Sequence, residues 1–110
     1  IILSLSNPNP EITPDAALAA GAAFAADGKS VNNVLGFPGI LRGAVDTYAR
    51  RISHEMYLAA AETIASLTPP DELVPNPLDK EVHQAVTRAV ARTAIQQGLA
   101  RVFDIPYLEE

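Results

Sequence analysis

The sequence has 110 residues, enough for one domain with one modest core, and its net charge of −5 and pI near 4.9 argue against nucleic acid or an anionic membrane surface as a partner. It contains no cysteine, its two histidines lie far apart, and no apolar run reaches the roughly 18 residues of a membrane span. Within these residues we therefore expect no thiol chemistry, no disulfide, no Cys-based zinc site and no membrane-spanning segment, and we expect a cytoplasmic protein.

The first part of the chain predicts a strand, a helix and a second strand. Residues 1–5 form a continuous apolar run typical of a buried parallel strand, and the run begins so abruptly that we expect a longer parent chain. Thr13 and Pro14 predict the cap and first position of a helix that ends near Gly21. Residues 22–26 predict the second strand. A strand–helix–strand order favours a parallel pair.

The next segment predicts a helix over residues 39–50, because Pro38 favours a turn before it and Gly39 stands where a helical pattern begins. The apolar positions of this helix include Ile40, Val45 and Tyr48.

Two further helices follow, separated by a proline-rich connection over residues 68–78. Ser53 is the expected cap of the first, and Asp79 and Gly98 are the expected cap and end of the second. The predicted apolar faces comprise Met56, Ala60, Ile64 and Leu67 on the first helix, and Val82, Val86, Ala89, Thr93 and Ala94 on the second.

Asparagines follow both predicted strands. Asn7 comes after the first strand, and Asn32 and Asn33 come after the second. Because ligands bind at the carboxyl ends of parallel strands, these carboxamides are expected to line one cleft. A carboxamide offers two donors and an acceptor without charge, which suits binding and orientation rather than acid–base work. A turn without further function is the alternative for the Asn32–Asn33 pair.

Several strings in the chain resemble malic enzymes, the bacterial type in particular. They are Leu5-Ser6-Asn7-Pro8, the run from Val31 to Gly39 (VNNVLGFPG), Arg42-Gly43-Ala44 and Ser53-His54-Glu55-Met56, and the likeness continues through the last helix. It implies an α/β fold: the C-terminal part of a Rossmann-like, doubly wound parallel sheet, with two short strands followed by three helices. Residues 1–102 would be the C-terminal part of an NAD(P)-binding domain, and residues 103–110 a tail.

The resemblance also implies a function. Malic enzymes oxidise and decarboxylate malate to pyruvate with NAD or NADP and a divalent metal, Mg or Mn. By resemblance Asn7 and Asn33 contact substrate and nicotinamide, and Asn32 belongs to the cofactor site. The acid–base tyrosine and lysine, the metal carboxylates and the glycine-rich turn lie upstream in that family, and no G-x-G-x-x-G occurs here. We therefore assign no catalytic residue and no metal ligand to this chain.

Some alternatives stay open at this point. The chain could be a non-catalytic small-molecule binding or interaction module of the same fold, and malolactic chemistry would share substrate and cofactor. The expected partners are malate or pyruvate, the rest of a malic enzyme chain and a second copy in a homo-oligomer. His54 and His83 are interpreted as surface residues, and Arg42, Arg50 and Arg51 as a solvated helix face that could reach a phosphate.

Overall fold

The computed structural model describes residues 1–6, 8–28 and 33–109, and for Asn33 it describes the backbone. The chain divides into two compact units, Ile1–Asn33 and Val34–Glu110.

The first unit contains a parallel pair of strands and one short helix. Strand β1 (Ile2–Ser4) pairs in parallel with β2 (Ala25–Asp27), with Ile2 opposite Ala25 and Ser4 opposite Asp27. Helix α1 (Pro14–Ala19) lies between them in the chain. The predicted strand–helix–strand order and parallel pairing are confirmed.

Both ends of α1 follow from local chemistry. The Thr13 hydroxyl accepts a hydrogen bond from the Ala16 amide at 3.2 Å, so the predicted cap is confirmed. At the other end Gly21 has a φ of 111°, and the Ala22 amide donates to the Ala17 carbonyl at 3.1 Å. Ala22 thus completes the helix terminus, and β2 starts three residues later than the predicted residue 22.

The second unit is a three-helix arrangement built around its last helix. It contains α2 (Phe37–Asp46), α3 (His54–Ser66) and α4 (Lys80–Gln96), with short 3-10 turns at Asn33–Leu35, which leads into the unit, and at Pro106–Leu108. Helix α4 packs against both α2 and α3. The buried residues they share are Ile40, Met56, Ala60, Val82, Val86, Val90, Ala94 and Ala100.

Helix α2 differs from its prediction at both ends. It starts at Phe37, before Pro38. Proline is tolerated in the first helical turn because the amides there have no acceptor within the helix, so the N–H group that proline lacks is not needed. The helix stops at Asp46, since Tyr48 takes a φ of 48° and the Ala49 amide returns to the Ala44 carbonyl at 2.9 Å. Val45 and Tyr48 are each 65% exposed, so their prediction as packed apolar positions is wrong. The face of α2 that packs on α4 carries small residues instead.

The caps of α3 and α4 are as predicted. The Ser53 hydroxyl accepts from the Met56 amide at 3.2 Å, and the Asp79 carboxylate accepts from the Glu81 amide at 2.9 Å. Gly98 has a φ of 71°, which fits its prediction as the end of α4.

The predicted apolar faces of these two helices are right in part. Leu67 lies just past the end of α3 and is exposed. On α4 Ala89 and Thr93 are half-buried. The buried residues of α4 are Val82, Val86, Thr87, Val90, Ala91 and Ala94.

The chain after α4 packs back on the helices. The Thr47 carbonyl accepts hydrogen bonds from the Arg101 amide at 2.8 Å and the Val102 amide at 3.0 Å. Ile105, inside the segment 103–110 that the sequence predicts as a tail, is 5% exposed. The domain boundary at residue 102 stays a prediction, but the segment that follows it contains a packed residue.

None of the helices in the described part of the chain combines the length and the hydropathy needed to cross a bilayer.

The contact between α2 and α4 yields a test of stability. A Cβ at Gly43 would lie 2.9 Å from the Thr87 carbonyl oxygen and 3.0 Å from Val90. Because a backbone oxygen cannot move alone, Gly43→Ala must push the helices apart, and we expect a loss of about 1–3 kcal/mol in the free energy of unfolding. Denaturant unfolding measures it.

Gly36→Ala is the matched control, because a Cβ there meets its nearest atom at 3.5 Å, an ordinary contact. A Gly43→Ala variant as stable as the wild-type chain would contradict the close packing of α2 on α4.

Candidate functional site

The three asparagines of the predicted cleft are covered unequally by the structure. Asn7 and Asn32 lie outside the described residues. Asn33 opens the 3-10 turn Asn33–Leu35, and only its backbone is described. Their assignment to substrate and cofactor stays a prediction.

The described residues around these positions define the start of each connection. Because β1 and β2 are parallel, their carboxyl ends, Ser4 and Asp27, are register partners at one edge of the sheet. Asn7 follows Ser4 by three residues, and the Asn32–Asn33 pair follows Asp27 by five and six. Both connections therefore leave from the edge where open α/β sheets bind ligands.

The loop after β1 is held by polar contacts. The buried Ser4 hydroxyl donates to the Ile12 carbonyl at 2.6 Å, and the Ser6 amide donates to the Glu11 carboxylate at 2.9 Å. The hydrogen bond from the Ser6 amide lowers the pKa of Glu11, since it stabilises the charged carboxylate. These two hydrogen bonds join residues that precede Asn7 in the sequence to residues that follow it.

The second unit contains an open cavity of about 730 Å³ between α2, α4 and the C-terminal turn. Gly39 in the first turn of α2 forms part of its wall. The polar side chains that line it are those of Arg42, His83, Gln84, Thr87, Arg88 and Tyr107.

A three-residue network joins the cavity wall to the C-terminal turn. Arg42 Nε donates to Asp46 Oδ2 at 2.8 Å, and the Tyr107 hydroxyl donates to the same oxygen at 2.9 Å. Arg42 and Asp46, one helical turn apart, also form an ion pair, and their hydrogen bond raises the pKa of Arg42. Burial, with the bond to Asp46, raises the pKa of Tyr107 to about 12.

His83 is half-buried, so its interpretation as a surface residue is wrong. Its Nε2 lies 2.7 Å from the Pro77 carbonyl oxygen, and a carbonyl can only accept, so Nε2 carries the proton. Its Nδ1 is buried and has no hydrogen-bond partner among the described residues. His54 is exposed, as expected.

Sequence reasoning missed this cavity for a physical reason. Tyr107 and Arg42 are brought together by the return of the chain after α4, and no local spacing signals that return. The one available hint was the amphipathic pattern of α4, which places His83 and Thr87 near its buried face.

Metal ligands were assigned to no residue of this chain. In the described ranges, no three His, Cys, Asp or Glu side chains come together as a metal ion would require.

Comparison with known proteins identifies the relatives of this chain. Residues 25–97 match the family model described as the NAD-binding domain of malic enzyme. The chain is 60% identical over 95 residues to NAD-dependent malic enzyme 1 of Bacillus subtilis, covering 86% of this chain and 22% of the relative. It is 50% identical over 112 residues to the bifunctional malic/malolactic enzyme of the same organism, covering 93% and 27%.

Solved structures agree with the sequence relatives. The crystal structure of malic enzyme from Pyrococcus horikoshii superimposes with a TM-score of 0.87 at 42% identity, over 99% of this chain and 27% of that one. The predicted α/β class, part of a Rossmann-like NAD-binding domain, is thus confirmed. The chain spans about a quarter of the length of these relatives.

The Tyr107 network yields a pH prediction. Because folding raises the Tyr107 pKa from its usual value near 10 to about 12, its contribution to stability is complete below pH 10 and is lost as the pH rises from 10 through 12. The absorbance of tyrosinate, taken as the difference between wild-type chain and Tyr107→Phe, should therefore titrate near pH 12. Asp46→Asn should move that titration to lower pH, because it removes the carboxylate that favours the protonated phenol.

Asp71→Asn, in the connection before α4, is the control and should leave the titration in place. A Tyr107 phenol that titrates at its usual pH in the folded chain would exclude the network.

Proposed function

Because this chain belongs to the malic enzyme family and matches its NAD-binding domain, we propose that it acts as part of an enzyme that oxidises and decarboxylates malate to pyruvate with NAD or NADP. The observation that carries the proposal is the match of residues 25–97 to that domain, together with 60% identity to an enzyme named for this activity. Similar proteins include both NAD-dependent and NADP-dependent malic enzymes, so both cofactors belong to the proposal.

The contribution of this chain is to bind and orient. Asn7 and Asn33 are proposed to contact malate and the nicotinamide, and Asn32 to contact the cofactor. A carboxamide can donate to a substrate carboxylate or hydroxyl and accept from the carboxamide of nicotinamide, so its chemistry fits these groups. The position of the asparagines after the carboxyl ends of β1 and β2 supports this role.

The reacting groups are expected elsewhere in the enzyme. When bound, NAD(P) supplies the hydride acceptor for the oxidation. By the family resemblance we expect the acid–base tyrosine and lysine, and the carboxylates for a divalent Mg or Mn, in the part of a malic enzyme chain upstream of this one. We propose that the rest of such a chain is the first partner of these residues, and that the whole enzyme is a cytoplasmic homo-oligomer.

A second reaction is favoured by one observation. The relative with 50% identity is named a bifunctional malic/malolactic enzyme. Direct conversion of malate to lactate would use the same substrate and cofactor contacts. Product analysis after incubation with malate, pyruvate against lactate, separates the two reactions.

The proposed asparagine contacts can be tested in an active parent enzyme. Asn7→Ala and Asn33→Ala should each lower kcat/KM for malate by roughly tenfold to a hundredfold, because each leaves polar groups of the bound ligand unpaired at about 1–3 kcal/mol. Steady-state kinetics give the effect, and thermal unfolding should change little.

Asn9→Ala is the matched control, since Asn9 is exposed in the same loop as Asn7. Unchanged kinetics for malate and NAD(P) in both test variants would remove these asparagines from the site.

The 110-residue chain alone should be inactive. No acid–base pair or metal site was assigned to it from the sequence, and catalysis of this kind needs both. The assay is NAD(P)H formation by the purified chain with malate, NAD(P) and manganese. Turnover above a blank without protein would place the catalytic groups within these residues.

A further inference from the structure

We propose that the cavity between α2, α4 and the C-terminal turn binds a small oxyanion, a carboxylate or a phosphate, through the Arg42 guanidinium. The site lies within the second unit and is argued from side chains other than the three asparagines. It stands independently of the proposed function.

The charge of the lining is the first argument. The whole chain carries a net charge of −5, yet the described lining contains Arg42 and Arg88 and no Asp or Glu. Tyr107 adds no negative charge, because a tyrosine phenol is protonated at neutral pH. Both charged side chains of the described lining are therefore cationic, and Asp46, which bonds to Arg42 from outside the lining, compensates part of that charge. An anion fits this lining better than a cation does.

The geometry of Arg42 is the second argument. A guanidinium has five N–H donors, and Asp46 takes the one on Nε. No other partner of Arg42 is found among the described residues, and its side chain is 69% exposed. The two terminal nitrogens are thus available in the fork that matches a carboxylate or phosphate. The Asp46 contact fixes the side chain, which lowers the entropy lost when a ligand binds.

The surrounding groups are suited to the same ligand. Gly39 lies in the first turn of α2, where the helix dipole is positive, and Gly36 before it provides no side-chain cap. Gln84 adds a carboxamide with two donors. Arg88 contributes charge to the lining, although it has an interaction of its own.

The size of the cavity admits a small molecule. A volume of about 730 Å³ lies within the range of small-molecule sites, about 300–1,000 Å³. Free phosphate and a short dicarboxylate both present the oxyanion that Arg42 would hold, so the two have to be separated by experiment.

The test is a binding titration of the purified chain, followed by amide chemical shifts, with inorganic phosphate in one arm and succinate in the other. The uncharged diamide of succinate serves as the ligand control. Saturable shifts of the Gly39, Arg42 and Gln84 amides are expected with phosphate or succinate and not with the diamide. The arm with the lower Kd identifies the source of the oxyanion.

Variants then test the role of Arg42. Arg42→Gln should raise Kd by about tenfold, because it removes charge-assisted hydrogen bonds. The Kd of Arg42→Lys should lie between those of the wild-type chain and Arg42→Gln, since lysine keeps the charge but lacks the forked pair of donors. Arg101→Gln, on an exposed residue outside the lining, should leave Kd unchanged. The spectrum of each variant without ligand shows that it is folded.

Absence of saturable shifts with both anions would overturn the proposal. Equal weakening by Arg42→Gln and Arg101→Gln would also overturn it, since that result means screening of net charge rather than a site.

Discussion

The close approach of α2 to α4 is the constraint on which the second unit depends. A Cβ on Gly39 would come within 2.6 Å of Val86, and one on Gly43 within 2.9 Å of the Thr87 carbonyl. Two glycines one helical turn apart thus allow the backbone of α2 to lie directly on α4. This contact brings Arg42, on α2, to the same cavity as His83 and Arg88 on α4. The packing that stabilises the helices also determines which polar groups meet beside them.

Two buried polar side chains of the helical unit, those of Thr47 and Ser53, form hydrogen bonds at helix ends. The Thr47 side chain is buried, and its hydroxyl donates to the Gly43 carbonyl at 2.8 Å. Ser53 caps α3 and also donates to the Gln97 side chain at the end of α4. Gln97 in turn hydrogen-bonds to Glu55 and so lowers the pKa of that carboxylate. The start of α3 is therefore tied to the end of α4 by side chains rather than by apolar packing alone.

Local chemistry determined how much of the fold was predictable. Thr13, Ser53 and Asp79 act as caps because their side-chain oxygens accept hydrogen bonds from first-turn amides that have no partner within the helix. The starts of α1, α3 and α4 were therefore predicted correctly. The bounds of α2 were predicted wrongly at its start because Pro38 was interpreted as part of a turn before the helix. The close approach of α4 explains why a glycine, Gly39, stands inside the helix, and the local sequence gives no sign of that contact. The cavity could not be predicted, since it joins residues from distant parts of the chain. The asparagine assignment came from motif resemblance and stays a prediction.

The hydrogen bonds from Arg101 and Val102 to the Thr47 carbonyl have a consequence for biosynthesis. Thr47 leaves the ribosome before α3 and α4 do, and its two donors emerge only after α4. Until they do, the carbonyl must be solvated by water, and the turn between α2 and α3 is held only by local hydrogen bonds such as that from the Ala49 amide to the Ala44 carbonyl. Helices α2 and α3 can form while translation continues, but closure of the unit waits until Arg101 and Val102 have been synthesised. A ribosome that stalls shortly after α4 would expose an incomplete unit to chaperones and proteases.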